Sequence, residues 1–421
     1  DLLEVPDPDV ATPGSVQNEA SLPVVLAGAL GDFQVAYGGY QGGGGGSGEG
    51  QILVSGLLAD ELRHTGTFET RQQIDLRSIR LDNSLLEQVF RELERARASA
   101  VRASDLFQQF QPDSAGHALA LALEGYTYIF SAENYCSGVP VSTLTESGEL
   151  QFGAPLPTDS LLNRAIDRFQ RALTIAQTAN DADLASLARV GWARAQLDLG
   201  DMAGAAQTAA PVPTSFEFLI EHSVNTTRQN NGVWYMNINA GRYSAVTNED
   251  VNGLDFLQTP PDPRVPWQVG TRAPFDQTLN IPLLFQLKYP DRASPTVLAD
   301  GIEARLIQAE AALAKGQSAA YLPTLNTLRA TVGLAPLPDP GTPAARVNQF
   351  FRERAFWLYL TSHRLGDLRR LVRQYGRSAA SVFPTGEYYR PGLQYGTDVN
   401  LPVPEVEQNN PLFQACLDRN A

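Results

Sequence analysis

The chain is poor in sulfur, histidine and lysine. Its 421 residues include two cysteines, two methionines and four histidines. No C-x-x-C, H-E-x-x-H or G-x-S-x-G pattern occurs, and His64, His117, His222 and His363 are far apart in sequence. Zinc-ribbon, zincin and serine-hydrolase signatures are therefore absent, and no metal or cofactor is expected. The only lysines are Lys288 and Lys315, in Leu-Lys-Tyr and Ala-Lys-Gly, so a P-loop is excluded. Gly43, Gly45 and Gly48 formally satisfy G-x-G-x-x-G, but inside a glycine run and without a strand–turn–helix frame the match carries no nucleotide site. No uninterrupted apolar run approaches the ~18 residues that span a bilayer, so a soluble body is expected. Positive charge is also scarce: 32 basic against 46 acidic residues gives a net charge of −14. Such a chain repels a polyanion, and nucleic acid is not an expected partner.

At roughly 150 residues per domain, the length suits two or three domains or one large helical array. The two cysteines, Cys136 and Cys416, permit one disulfide, and two unrelated buried thiols are equally compatible with the sequence. If formed, the bond would tie the middle of the chain to its end and contribute roughly 5 kcal/mol in the chain-entropy model. The first residue is Asp1 and no signal peptide precedes it, the expectation for a processed or trimmed mature chain.

Helical periodicity dominates beyond an N-terminal arm that is proline-rich to about Pro23 and a low-complexity, flexible glycine loop at 38–50. Leu162, Ile166, Phe169, Leu173 and Ala176 recur at spacings that mark one helix face, with Thr158 or Asp159 as the cap. Ile302, Leu306, Ala309 and Leu313 repeat the pattern, as do Tyr321, Leu325, Leu328 and Val332 before Gly333. Thr342 and Pro343 read as the cap and first turn of a helix carrying Val347, Phe350, Phe351, Ala355 and Leu358. The segment 188–210, with small residues on both sides of Gly200-Asp201, predicts a close-packed helix hairpin resembling a tetratricopeptide unit. The expected organisation is mainly α, with a helical body at about 80–210 and 300–375. A loop-rich, partly β insert spans about 211–299, where Val233 to Ile238 alternates like a strand, and an extended tail runs over 376–421.

Two clusters invite a functional reading. Arg346, Arg352, Arg354, Arg364, Arg369, Arg370, Arg373 and Arg377 could form an anion site, but interleaved Glu353 and Asp367 favour a solvated or salt-bridged helix face. In the insert, Trp234, Tyr235, Tyr243 and Trp267 stand among Asn237, Arg242 and other polar residues. Flat rings beside hydrogen-bonding groups suit a sugar or a peptide, although the same rings could simply pin the insert to the body.

The C-terminal third resembles the SusD/RagB family. The resemblance lies in 302–337 (IEARLIQAEAALAKGQSAAYLPTLNTLRATVGLAPL), 352–371 (RERAFWLYLTSHRLGDLRRL) and 400–412 (NLPVPEVEQNNPL), in that order. Segments 1–10, 56–62 and 133–142 are weaker matches in the right sequence, and the insert at 211–295 matches poorly. The resemblance implies one SusD-like domain over 1–421, with tetratricopeptide-type helix pairs and a Cys136–Cys416 disulfide. It implies a non-enzymatic lipoprotein on the extracellular face of the outer membrane, held by a lipid alone, with the anchor cysteine outside this chain. Such a protein would be the lid of a SusC-like TonB-dependent transporter, capturing an oligosaccharide or a peptide. A self-associating surface scaffold on the same fold is the alternative reading, and a helical glycan-degrading enzyme the more remote one. Arg354, His363, Arg364, Asp367 and Arg369 are assigned to structure, as a buried ion-pair and cap network. His363→Ala should accordingly lower the melting temperature in a thermal scan while leaving ligand affinity unchanged; a loss of affinity at constant melting temperature would reverse that assignment.

Overall fold

The computed structural model describes residues 17–42, 48–145, 149–247 and 251–421. The arm at 1–16 and the centre of the glycine loop at 43–47 lie outside the described residues. Thirteen helices are described: α1 Leu22–Gly38, α2 Gln51–Leu58, α3 Glu69–Asp75, α4 Ser84–Phe110, α5 Ala115–Asn134, α6 Thr158–Thr178, α7 Ala182–Asp198, α8 Met202–Ala209, α9 Gly232–Trp234, α10 Gly301–Ala314, α11 Ser318–Thr331, α12 Pro343–Trp357 and α13 Arg364–Arg373. Pro23, assigned above to the arm, instead occupies the first turn of α1, where its missing N–H costs nothing. Residues Glu19–Gly38 have the length and apolarity of a membrane span, yet they pack on α4 and α5 and 44% of the apolar window is buried. Its C-terminal half, Phe33 to Gly38, is buried, whereas Val24, Ala27, Gly28 and Gly31 in the N-terminal half are exposed.

The helices stack in sequence: α1 on α4, α4 on α5, α5 on α6, α6 on α7, α7 on α8, and α10 on both α8 and α11. Close approach follows from small residues. Phe169 of α6 is fully buried between Gly125 of α5 and Gly191 of α7. A Cβ at Gly125 would stand 2.8 Å from the ring, and one at Gly191 would overlap it more severely. Helix ends carry local signals. Gly200 takes φ +83, Asp201 caps α8 through the Gly204 amide, Gly333 takes φ +73 after α11, and Thr342 caps α12. At α6, by contrast, the cap position is Pro157, and neither Thr158 nor Asp159 caps.

The described strands are all short and form five two-stranded antiparallel pairs. In the insert, Tyr243–Ala245 pairs with Leu62–His64, and Trp267–Val269 pairs with Leu284–Gln286. The alternation from Val233 to Ile238 does not make a strand. Asn231 caps α9 through the Trp234 amide, and the chain continues as a π-turn over Tyr235–Asn239. The side chain of Asn237 then points inward and bonds the backbone of Tyr243, Leu284 and Gln286, which substitutes for sheet pairing. The glycine segment is also not a free loop at its described ends. Gly39, Gly48 and Gly50 are buried and so close that a Cβ on any one would strike the backbone of another part of the segment.

The C-terminal tail returns to α5. Leu401 bridges Tyr135, Asp418 bridges Ser137, and Cys136 is disulfide-bonded to Cys416, 280 residues away. Four of the C-terminal arginines are buried, which corrects the reading of a solvated face. Arg354 and Arg370 both bond Asp367 (2.8 and 2.7 Å), Arg370 also reaches Glu310 (2.5 Å), and Arg364 bonds Asp60 (2.6 Å). Arg369 instead donates to the carbonyls of Ala132, Glu133 and Tyr135. The partners come from distant segments, so no local pattern announces them. Burial alone would raise the Asp367 carboxyl, but Arg354 and Arg370 hold it down at about 2. Buried His363 is kept neutral by desolvation, with Nε2 3.0 Å from Glu303.

The turn joining α12 to α13 places Leu360 and Ser362 at φ 52 and 61, in left-handed backbone that side-chain-bearing residues rarely adopt. Glu61 accepts the Leu360 amide at 2.7 Å through Oε1, while Oε2 is buried without a partner within the protein. Burial raises this carboxyl from 4.5 to about 8, so the folded protein favours its protonated form. Its stabilisation is full below pH 4.5, where the unfolded chain is also protonated, and is lost as pH rises through about 8. Glu61→Gln keeps the acceptor and removes the titration. Urea midpoints of the variant should decline less steeply than those of the native protein between these two pH values, and parallel curves would discount the buried acid.

Candidate functional site

Strand Leu62–His64 runs antiparallel to Tyr243–Ala245, and the chain leaves it through the loop 65–68. Two neighbouring loops are laced to that loop. Thr65 donates its amide to the Arg242 carbonyl (2.7 Å) and its hydroxyl to the Gly241 carbonyl (3.0 Å). The Asp276 amide bonds the Thr65 carbonyl (2.9 Å), and the Phe275 amide bonds that of Gly241 (2.8 Å). Gly241, at φ 63, makes the turn that allows this approach. Arg390, from the tail, closes the set with bonds to Asp276 (2.8 Å) and the Gly66 carbonyl (2.7 Å).

At the meeting point, the Arg242 guanidinium lies between two phenyl rings, 5.2 Å from the centroid of Phe68 and 4.1 Å from that of Phe275. Phe68 is 46% and Phe275 42% exposed, whereas Arg242 is only 6% exposed. Its Nε and Nη1 are enclosed with no hydrogen-bond partner within the protein. Burial, followed by repulsion from Arg71, lowers its pKa. Beneath lies His64, fully buried, with neither ring nitrogen bonded and its pKa pushed well down by burial and by Arg390 and Arg71. Glu49, at the end of the glycine segment, anchors this floor. It accepts from Arg71 (2.5 Å), the Tyr243 hydroxyl (2.6 Å) and the Gly48 amide (2.8 Å), wholly out of water.

The structure divides the residues singled out from sequence. Arg242 reaches the surface cluster. Tyr243 and Asn237 are fully buried with their polar groups spent on the protein, and Tyr235 is buried with its hydroxyl on the Gly42 carbonyl (3.2 Å). Trp234 and Trp267 are half-buried against the core, and the Trp267 indole donates to the Gln258 carbonyl (3.0 Å). These rings fasten the insert. Phe68 and Phe275 escaped the sequence reading, although each is a lone ring in a polar stretch, Thr-Phe-Glu and Pro-Phe-Asp. Among the described residues no group of three His, Cys, Asp or Glu side chains assembles to hold a metal. Two half-exposed rings around a guanidinium suit a ligand with a flat apolar face and polar substituents.

No protein-family model matches the chain, and no curated protein does. Solved structures do match. A SusD superfamily protein from Bacteroides vulgatus aligns at 15% identity and TM-score 0.66, covering 95% of this chain and 99% of that one. A SusD-like protein from Bacteroides fragilis aligns at 12% identity and TM-score 0.69, over 98% and 100%. A SusD-like carbohydrate binding protein, also from Bacteroides fragilis, aligns at 15% identity and TM-score 0.68, over 94% and 99%. The chain thus has the SusD-like fold over its described residues.

Because Arg71 and Glu49 are 2% and 0% exposed, removing one charge leaves the other stranded in the interior. Glu49→Gln should reduce the unfolding free energy by about 3–5 kcal/mol in a urea titration, and an unchanged midpoint would remove Glu49 from its anchoring role.

Proposed function

We propose that this protein captures oligosaccharides at the bacterial cell surface and delivers them to a SusC-like TonB-dependent transporter, over which it acts as a lid. The observation that carries the capture step is the Phe68–Arg242–Phe275 cluster, where two exposed rings and a cation sit on loops held rigidly by hydrogen bonds. Sugar rings present apolar C–H faces that stack on such phenyls, and their hydroxyls accept from a guanidinium. One protein of the same fold is described as carbohydrate binding, which favours a glycan over a peptide. The Cys136–Cys416 disulfide suits an oxidising compartment such as the outer face of the outer membrane. Its task is binding and release, with no bond made or broken.

Two measurements test this. Isothermal titration against an oligosaccharide panel should find a ligand whose affinity drops about tenfold with Phe68→Ala and again with Phe275→Ala, at unchanged melting temperature. Gentle purification from native membranes should recover a large TonB-dependent barrel in near-equal amount. Recovery of ordered polymers of this chain alone, with no sugar bound, would instead support a structural scaffold.

A further inference from the structure

Arg242 differs from the arginines around it. Arg71 is paired with Glu49, Arg390 with Asp276, and Arg272 donates to the carbonyls of Asn239 and Ala240. Among the described residues no carboxylate lies within ion-pair distance of Arg242 and no carbonyl meets its guanidinium, although it is more than nine-tenths buried. A buried charge without a counter-charge is costly unless something else supplies it. The two phenyl rings supply part of that through their π faces, but they leave the positive charge un-neutralised.

The surroundings deepen the imbalance. Among the described residues Arg71, Arg242, Arg272 and Arg390 converge near the site, against Glu49, Asp75 and Asp276. A chain with net charge −14 thus concentrates cations where two exposed phenyl rings approach one guanidinium. A sugar ring seated against Phe68 or Phe275 would set its substituents beside the guanidinium, whose charge a carboxylate would neutralise.

We propose that the oligosaccharide taken at this surface is acidic, a uronic-acid-bearing glycan whose carboxylate becomes the missing partner of Arg242. This rests on the sugar-capture reading above. Phe68 and Phe275 then supply stacking common to all sugars, and Arg242 supplies the preference for charge. The pairing also implies salt-dependent binding, because salt screens the attraction that draws an anionic ligand in from solvent.

The test titrates the full chain with a panel of uronic-acid oligosaccharides and their carboxyl-reduced, neutral counterparts. At least one acidic member should bind, more tightly than its reduced form and more weakly as salt is raised. Arg242→Gln should lower that affinity about ten- to hundredfold and lower that of the neutral sugar by much less, with Arg242→Lys in between. Equal binding of acidic and neutral sugars by the native chain overturns the charge preference and leaves sugar capture standing, a comparison that does not depend on the variant folding. If no sugar of either kind binds, both readings fall. Arg242-dependent binding of an acidic peptide, with sugars inert, overturns the glycan in favour of a peptide ligand.

Discussion

Six polar groups of the turn between α12 and α13 are met by side chains from distant parts of the chain. The Tyr359 carbonyl accepts from Lys288 (2.6 Å), the Leu360 carbonyl from Tyr289 (2.9 Å), the Thr361 carbonyl from Tyr37 (3.2 Å) and the Ser362 carbonyl from Arg194 (3.1 Å). The Leu360 amide goes to Glu61, and the Ser362 hydroxyl accepts from Ser55 and Asn134. A buried turn cannot leave these groups unpaired, since each orphan costs about 1–3 kcal/mol. Two residues with positive φ add a strain of similar size. The turn therefore exists only when α1, α2, α5, α7 and the insert are all in place, and it makes their assembly mutually dependent.

That dependence reaches the candidate site through chain continuity. Glu61 immediately precedes strand Leu62–His64, which leads into the loop bearing Phe68. Lys288 and Tyr289 follow strand Leu284–Gln286, which closes the loop bearing Phe275. Arg242 stands one residue before Tyr243, at the start of the strand paired to Leu62–His64. The residues that lock the turn thus fix where both rings and the cation emerge. A rigid frame of this kind lowers the ordering cost of binding, because the rings need not be gathered when a ligand arrives.

Helices were legible from sequence because their stabilising contacts are periodic and local. The stripe through Leu162, Phe169 and Leu173 is buried, and Gly200-Asp201, Gly333 and Thr342-Pro343 punctuate helices as their chemistry requires. The insert resisted for the opposite reason. The partner of Tyr243 is Glu49, 194 residues away, and Asn237 replaces ladder bonds that no alternation pattern encodes. A ring with a polar handle reads the same whether its hydroxyl meets a ligand or a buried carboxylate, so Tyr243 could be sorted only by burial. The glycine run misled in a related way. Composition says flexible, whereas the described glycines are there because backbone packs directly on backbone.

The scarcity of lysine acquires a physical meaning in the same frame. Arg194, Arg354, Arg364, Arg369 and Arg370 are buried, and several bond more than one partner: Arg370 spans Glu310 and Asp367, and Arg369 gathers three carbonyls at the end of α5. A guanidinium offers five donors in one plane and stays charged when desolvated, so a single side chain can close several long-range gaps. An ammonium in this interior behaves differently. Burial lowers Lys288 to about 8, and it donates to one carbonyl, that of Tyr359. A fold whose helices are joined by polar side chains reaching across the chain therefore favours arginine at the joints. Where one such guanidinium is left without an anion, as at Arg242, the exception lies beside the exposed rings.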